Sequence, residues 1–171
     1  EDISLEVRGV VWLEHVNLVT GGRELAEVFY LEGLGLTRDP TRDPASSVMW
    51  VNVGSRQQFH LQDPTKEDAA QAVDGCIGLA LPDLAALTGR LRAVSPRLSE
   101  PEVPGSRFAF ADLGGTVVVD CPWGNRFFVY SCAAEAAAPS PGRPPKRART
   151  VMEAAHEHLD SCMAVGNEAG I

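Results

Sequence analysis

Two hydrophobic periods follow each other along this chain, and then do so again. Residues 10–20 (VVWLEHVNLVT) form a β-branched, apolar run closed by Gly21 and Gly22, the pattern of a buried strand. In the RELAEVFYLEGLGL stretch that follows, Leu25, Val28, Phe29, Leu31 and Leu34 fall at helical spacing, and Gly33 and Gly35 can terminate the helix. Extended runs come next around 36–38, in SVMWVNVG and in QQFHLQ, separated by Asp, Pro, Gly and Ser. The unit reads β-α-β-β-β.

A second unit opens with GCIGLALP (75–82) and continues with DLAALTGRLRAV (83–94). Asp83 can cap this helix, and Leu84, Leu87, Leu91 and Val94 make its buried stripe. RFAFADLGG, TVVVD and NRFFVY supply its closing strands. The pattern predicts strands near 11–19, 47–53, 57–62, 75–81, 107–112, 115–120 and 126–131, with helices near 22–33 and 83–94. An internal repeat of this kind outranks any single motif. Laying one unit on the other pairs His15 with Cys76, Trp50 with Phe110 and His60 with Phe128, the surplus residues being placed in the LGGTVVVDCPWGN hairpin.

These elements divide the chain into an extension (1–9), a two-module domain (10–132, modules 10–62 and 75–131), a linker (133–149) and a terminal helix and tail (150–171). The linker composition is Pro- and Ala-rich, with Arg143, Lys146, Arg147 and Arg149 closing it. Thr150 and Glu153 form a capping box, and Val151, Ala155, Leu159 and Met163 give a weak apolar stripe. Such a helix wants a partner: the domain surface, a protein partner or a second copy in a homodimer. His156 and His158 are two apart, which puts them on different sides of a helix and excludes an i, i+4 metal pair.

Composition narrows the function classes. A formal charge of −8 speaks against a nucleic-acid surface, which needs clustered Lys and Arg. No apolar run has the length of a membrane span, and no signal peptide is legible. Four cysteines (Cys76, Cys121, Cys132, Cys162) without a CxxC pair point to a soluble protein of a reducing intracellular compartment, cytoplasm or organelle.

The stretches EHVNL, FYLEGLGL and CPWGNRF, in that order over residues 10–131, resemble the vicinal-oxygen-chelate superfamily of glyoxalases, bleomycin-resistance proteins and extradiol dioxygenases. The resemblance implies two βαβββ modules curling a mixed sheet around a concave cavity. It also implies a divalent metal held at the positions here occupied by His15, His60, Cys76 and Phe128. Phe128 cannot ligate; two imidazoles and a thiolate would suit zinc, with iron or nickel as further candidates and no metal equally open. Strand alternation puts His60 on one face with Gln58 and Gln62, and Trp50 on one face with Asn52. Arg126 and Phe128 share a face in the same way. Trp50, Asn52, Gln58, Gln62, Arg126 and Phe128 are the expected lining of a small-molecule cavity, Trp50 for a planar or apolar ligand and Arg126 for an anionic one or for solvent. Glu14 is expected to point away from His15.

Three functions stay open: a metal-dependent lyase, isomerase or dioxygenase acting on vicinal oxygens, a metal-free binding module, and a scaffold subunit docking through its terminal helix.

Overall fold

A computed structural model describes residues 13–132, apart from 56 and 66–68. The linker and terminal helix expected beyond 132 lie outside the described residues, as does the start of the first expected strand. The elements run β1 (His15–Val19), α1 (Arg23–Ala26, continued by a π-helical stretch Glu27–Gly33), β2 (Thr37–Arg38), β3 (Val48–Val53), β4 (Gln57–Gln62), β5 (Cys76–Leu81), α2 (Leu84–Leu98), β6 (Ala109–Asp112), β7 (Thr116–Asp120) and β8 (Arg126–Ser131). The βαβββ unit occurs twice.

Each unit makes its own four-stranded mixed sheet, ordered β1-β4-β3-β2 and β5-β8-β7-β6. The first and last strands of each unit pair in parallel and the remaining pairs are antiparallel. The curled sheet implied by the resemblance is therefore present as two halves with identical connectivity.

Strand register corrects one expected equivalence. Trp50 stands opposite His60 on β4, and the residue opposite Phe128 on β8 is Val118. Trp50 thus corresponds to Val118, while Phe110 lies on β6 next to Val119 and corresponds to Arg38. The surplus residues of module two precede β7: α2 is 15 residues long, four more than its counterpart in module one.

α2 also outruns its expected end at 94. Its apolar stripe continues to Leu98, which is fully buried, and Pro96 sits in the final turn, where its missing N–H removes one bond only. Asp83 caps the helix, accepting from the Ala86 N–H at 2.8 Å. Arg90 of α2 donates to the carbonyls of Gly33 and Leu34 at 3.3 and 3.2 Å, capping the first helix from the second. Gly35 follows at φ 76°, which favours glycine, and a Cβ there would come within 2.7 Å of the Arg90 guanidinium and push it off the two carbonyls it caps.

One core joins both modules. Phe29, Tyr30, Met49, Val51, Phe59 and Leu61 pack with Leu87, Leu91, Val117, Val119, Phe127 and Val129 in a single buried cluster. Alternation along the strands then decides what faces away from it: Gln58, His60 and Gln62 in module one, Val118 and Phe128 in module two.

Candidate functional site

The face of module one opposite the core carries the polar residues. Across β1 and β4, His15 stands opposite Gln58 and Asn17 opposite His60; across β3 and β4, Trp50 stands opposite His60 and Asn52 opposite Gln58. The two imidazoles meet. Their centroids lie 4.1 Å apart with 11° between planes, a parallel stack, and the Trp50 ring meets His60 edge-on at 5.7 Å.

A hydrogen-bonded chain fixes these rings. Asp39 accepts from the Thr41 N–H at 2.8 Å and from its hydroxyl at 2.7 Å, and these bonds, with one from Gln58, hold its carboxyl below the usual range. A carboxylate only accepts, so the Gln58 amide must turn its Nε2 toward Asp39, at 2.8 Å. The same nitrogen donates to Asn52 Oδ1 at 2.9 Å. Gln58 Oε1 then faces His60 Nε2 at 3.2 Å. At the other ring, Glu14 accepts from His15 Nδ1, and that bond lowers the Glu14 pKa. Partial burial, and next the neighbouring His15, push the His60 imidazole below its ordinary value.

Glu14 therefore departs from expectation. It precedes β1 rather than lying in it, so strand alternation does not govern its side chain, which bends to its neighbour's ring. Asp39 and Arg42 were not among the candidates either. Arg42 lies over the Trp50 ring, 5.1 Å from the centroid, and 4.0 Å from Asp39. The Asp39-Pro-Thr turn was the available signal for that corner.

The remaining candidates are placed elsewhere. Gln62 shares the face but is exposed at the end of β4. Arg126 is bound by both oxygens of Asp120, at 2.8 and 2.9 Å, which matches its charge within the protein. Phe128 is buried with Val118 in an apolar patch flanked by Ala109, Ala111 and Leu113. Cys76 is an exposed free thiol at the start of β5, and Cys121 and Cys132 are free as well.

As arranged, these donors do not fit a resident divalent ion. Among the described residues no three His, Cys, Asp or Glu side chains form a group able to hold one. Imidazole lone pairs lie in the ring plane, and two nearly parallel stacked planes do not aim them at one point.

Comparison with solved structures places the architecture. A Bacillus anthracis protein of the glyoxalase family matches with a TM-score of 0.51 at 16% identity, over 73% of this chain and 98% of that one. The fold is that of the vicinal-oxygen-chelate proteins. TnmS3, an antibiotic binding protein from Streptomyces sp. CB03234, matches with a TM-score of 0.50 at 16% identity, over 73% and 98% of the two chains. A mutant of the fosfomycin resistance protein FosX from Listeria monocytogenes, complexed with Mn(II) and 1S,2S-dihydroxypropylphosphonic acid, reaches 0.51 at 9% identity, over 77% and 100%. At such identities the likeness carries the vicinal-oxygen-chelate fold and not the chemistry. No family model and no curated protein matches the sequence. No helix among the described residues is long and apolar enough to cross a membrane.

Proposed function

We propose that this chain is a metal-independent binding module of the vicinal-oxygen-chelate fold, taking a small planar molecule on the outer face of module one. The carrying observation is the parallel His15–His60 stack with Trp50 edge-on, held by Glu14 at one end and by Gln58 and Asp39 at the other. A rigid group of flat side chains whose orientation is set by its own hydrogen bonds is suited to stacking and edge contacts with a flat ligand. That the fold accommodates such a role is supported by TnmS3, an antibiotic binding protein.

The runner-up is a metal-dependent lyase, isomerase or dioxygenase, and the Mn(II)-complexed FosX shows that this fold can carry a metal. It would require the stack to open and a third ligand to arrive. The scaffold reading rests on residues outside the described ones.

The test is a protein NMR titration with naphthalene and anthraquinone derivatives in the presence of a chelator. The expected result is saturable shifts at the Trp50 indole and both imidazoles, lost in Trp50→Ala. Binding that appears only after zinc, manganese, iron or nickel is added would transfer support to the enzyme reading.

A further inference from the structure

Which ligands the stack selects follows from the protons on its nitrogens. The chain of fixed roles starts at Asp39, an acceptor, and orients Gln58 so that its carbonyl oxygen faces His60 Nε2 at 3.2 Å. An amide oxygen only accepts, so His60 Nε2 carries the hydrogen and, in the neutral ring, Nδ1 is left as a bare acceptor. Glu14 fixes the other ring in the opposite sense: His15 Nδ1 carries the hydrogen and Nε2 is the acceptor. Among the described residues neither His15 Nε2 nor His60 Nδ1 has a hydrogen-bond partner, and both side chains are half-buried.

The charges around the stack point the same way. Glu14 and Asp39 offer oxygens that accept and do not donate. Of the cations beside the candidate residues, Arg126 is matched inside the protein by Asp120, while Arg42 lies over the Trp50 ring, 4.0 Å from Asp39, with its side chain 54% exposed. An anionic ligand would find two acceptors and two carboxylates at the stack, with the Arg42 guanidinium offsetting only part of that repulsion.

From this we infer that the module-one site selects small planar molecules bearing O–H or N–H donors, neutral or cationic, through the paired acceptors His15 Nε2 and His60 Nδ1. Carboxylates and phosphates are disfavoured. The inference rests on the binding reading above and narrows it to a ligand class. A buried or half-buried acceptor that a ligand fails to satisfy costs affinity, so loss of one donor is felt strongly.

Three probes that share a ring system test it: 2-naphthol, 2-methoxynaphthalene and 2-naphthoate, titrated by ligand-observed NMR against the full chain. The expected result is 2-naphthol binding about tenfold tighter than its methyl ether, with 2-naphthoate the weakest. His15→Phe and His60→Phe keep a flat ring in the stack and remove one acceptor each, and the variant that loses the acceptor taking the single naphthol hydroxyl is expected to bring the naphthol preference down to about twofold. Equal affinity of 2-naphthol and its methyl ether for the unaltered chain, or tighter binding of 2-naphthoate, overturns the donor selection while leaving the binding module intact. Failure of 2-naphthol and of its methyl ether to bind at all removes the binding reading itself. The comparison on the unaltered chain decides the matter even if a phenylalanine variant does not fold.

Discussion

Gln58 is the residue on which the site turns, since one amide spends its hydrogens on Asp39 and Asn52 and its oxygen on His60. Its neighbour His60 has a folded-state pKa below the ordinary value of 6.5, so below that pH the unfolded chain binds more protons than the folded one. Stability is therefore full above pH 6.5 and falls as pH drops through the lowered pKa. Thermal midpoints measured between pH 7.5 and 5 should decline, and His60→Gln should flatten that decline. Tyr30 offers a second residue-scale test. Its ring is fully buried and its hydroxyl has no hydrogen-bond partner among the described residues, which costs stability for as long as the oxygen is there. Tyr30→Phe is expected to stabilise the protein by about 1 kcal/mol in denaturant titration, and a loss of that size would mean the hydroxyl meets an ordered water. Period-two alternation put Gln58 with His60 and Trp50 with Asn52, each pair on one face of its strand, and the family resemblance brought His15 to His60; that the three strands share that face came from their register. Glu14, Asp39 and Arg42 could not be read from the sequence, since their positions depend on a strand boundary and on a turn.

At the scale of elements, β7 and β8 are tied by Asp120 and Arg126, whose side chains are 6% and 15% exposed. Removing one partner leaves the other charge largely buried, so Asp120→Ala should cost about 3 kcal/mol in denaturant unfolding. The Asp120→Leu, Arg126→Met double variant should recover most of it. Asp83→Ala should cost about 1 kcal/mol through loss of the α2 cap. Of the elements, the strands bounded by Gly, Asp and Pro were legible nearly to the residue, β3, β4 and β8 among them. The end of α2 was not. Proline near a helix terminus reads as a stop in sequence, whereas here burial of Leu98 carries the helix through it.

For the whole molecule, the repeat made the fold readable without any single diagnostic motif, because two copies of one βαβββ pattern constrain each other. What the repeat could not supply was the correspondence of positions inside it. An insertion between β5 and β7 shifts every later pair, so Trp50 was matched to the wrong partner until strand register was known. A further consequence of the shared core is that residues 10–132 should fold alone. Ending the chain after Cys132 should move the thermal midpoint by only a few degrees, equivalent to about 1 kcal/mol, and loss of folded protein would place the tail in the core.

The central claim is that His15 and His60 form a stacked, hydrogen-bonded pair and not a metal centre, and the ring nitrogens report on it directly. Long-range ¹H–¹⁵N correlation spectra at pH 7.5, with chelator and then with one equivalent of zinc, distinguish the two states. The expected spectra show His15 protonated at Nδ1 and His60 at Nε2, unchanged by zinc. Opposite tautomers, or a joint stoichiometric shift of His15 Nε2 and His60 Nδ1 on adding zinc, would contradict it.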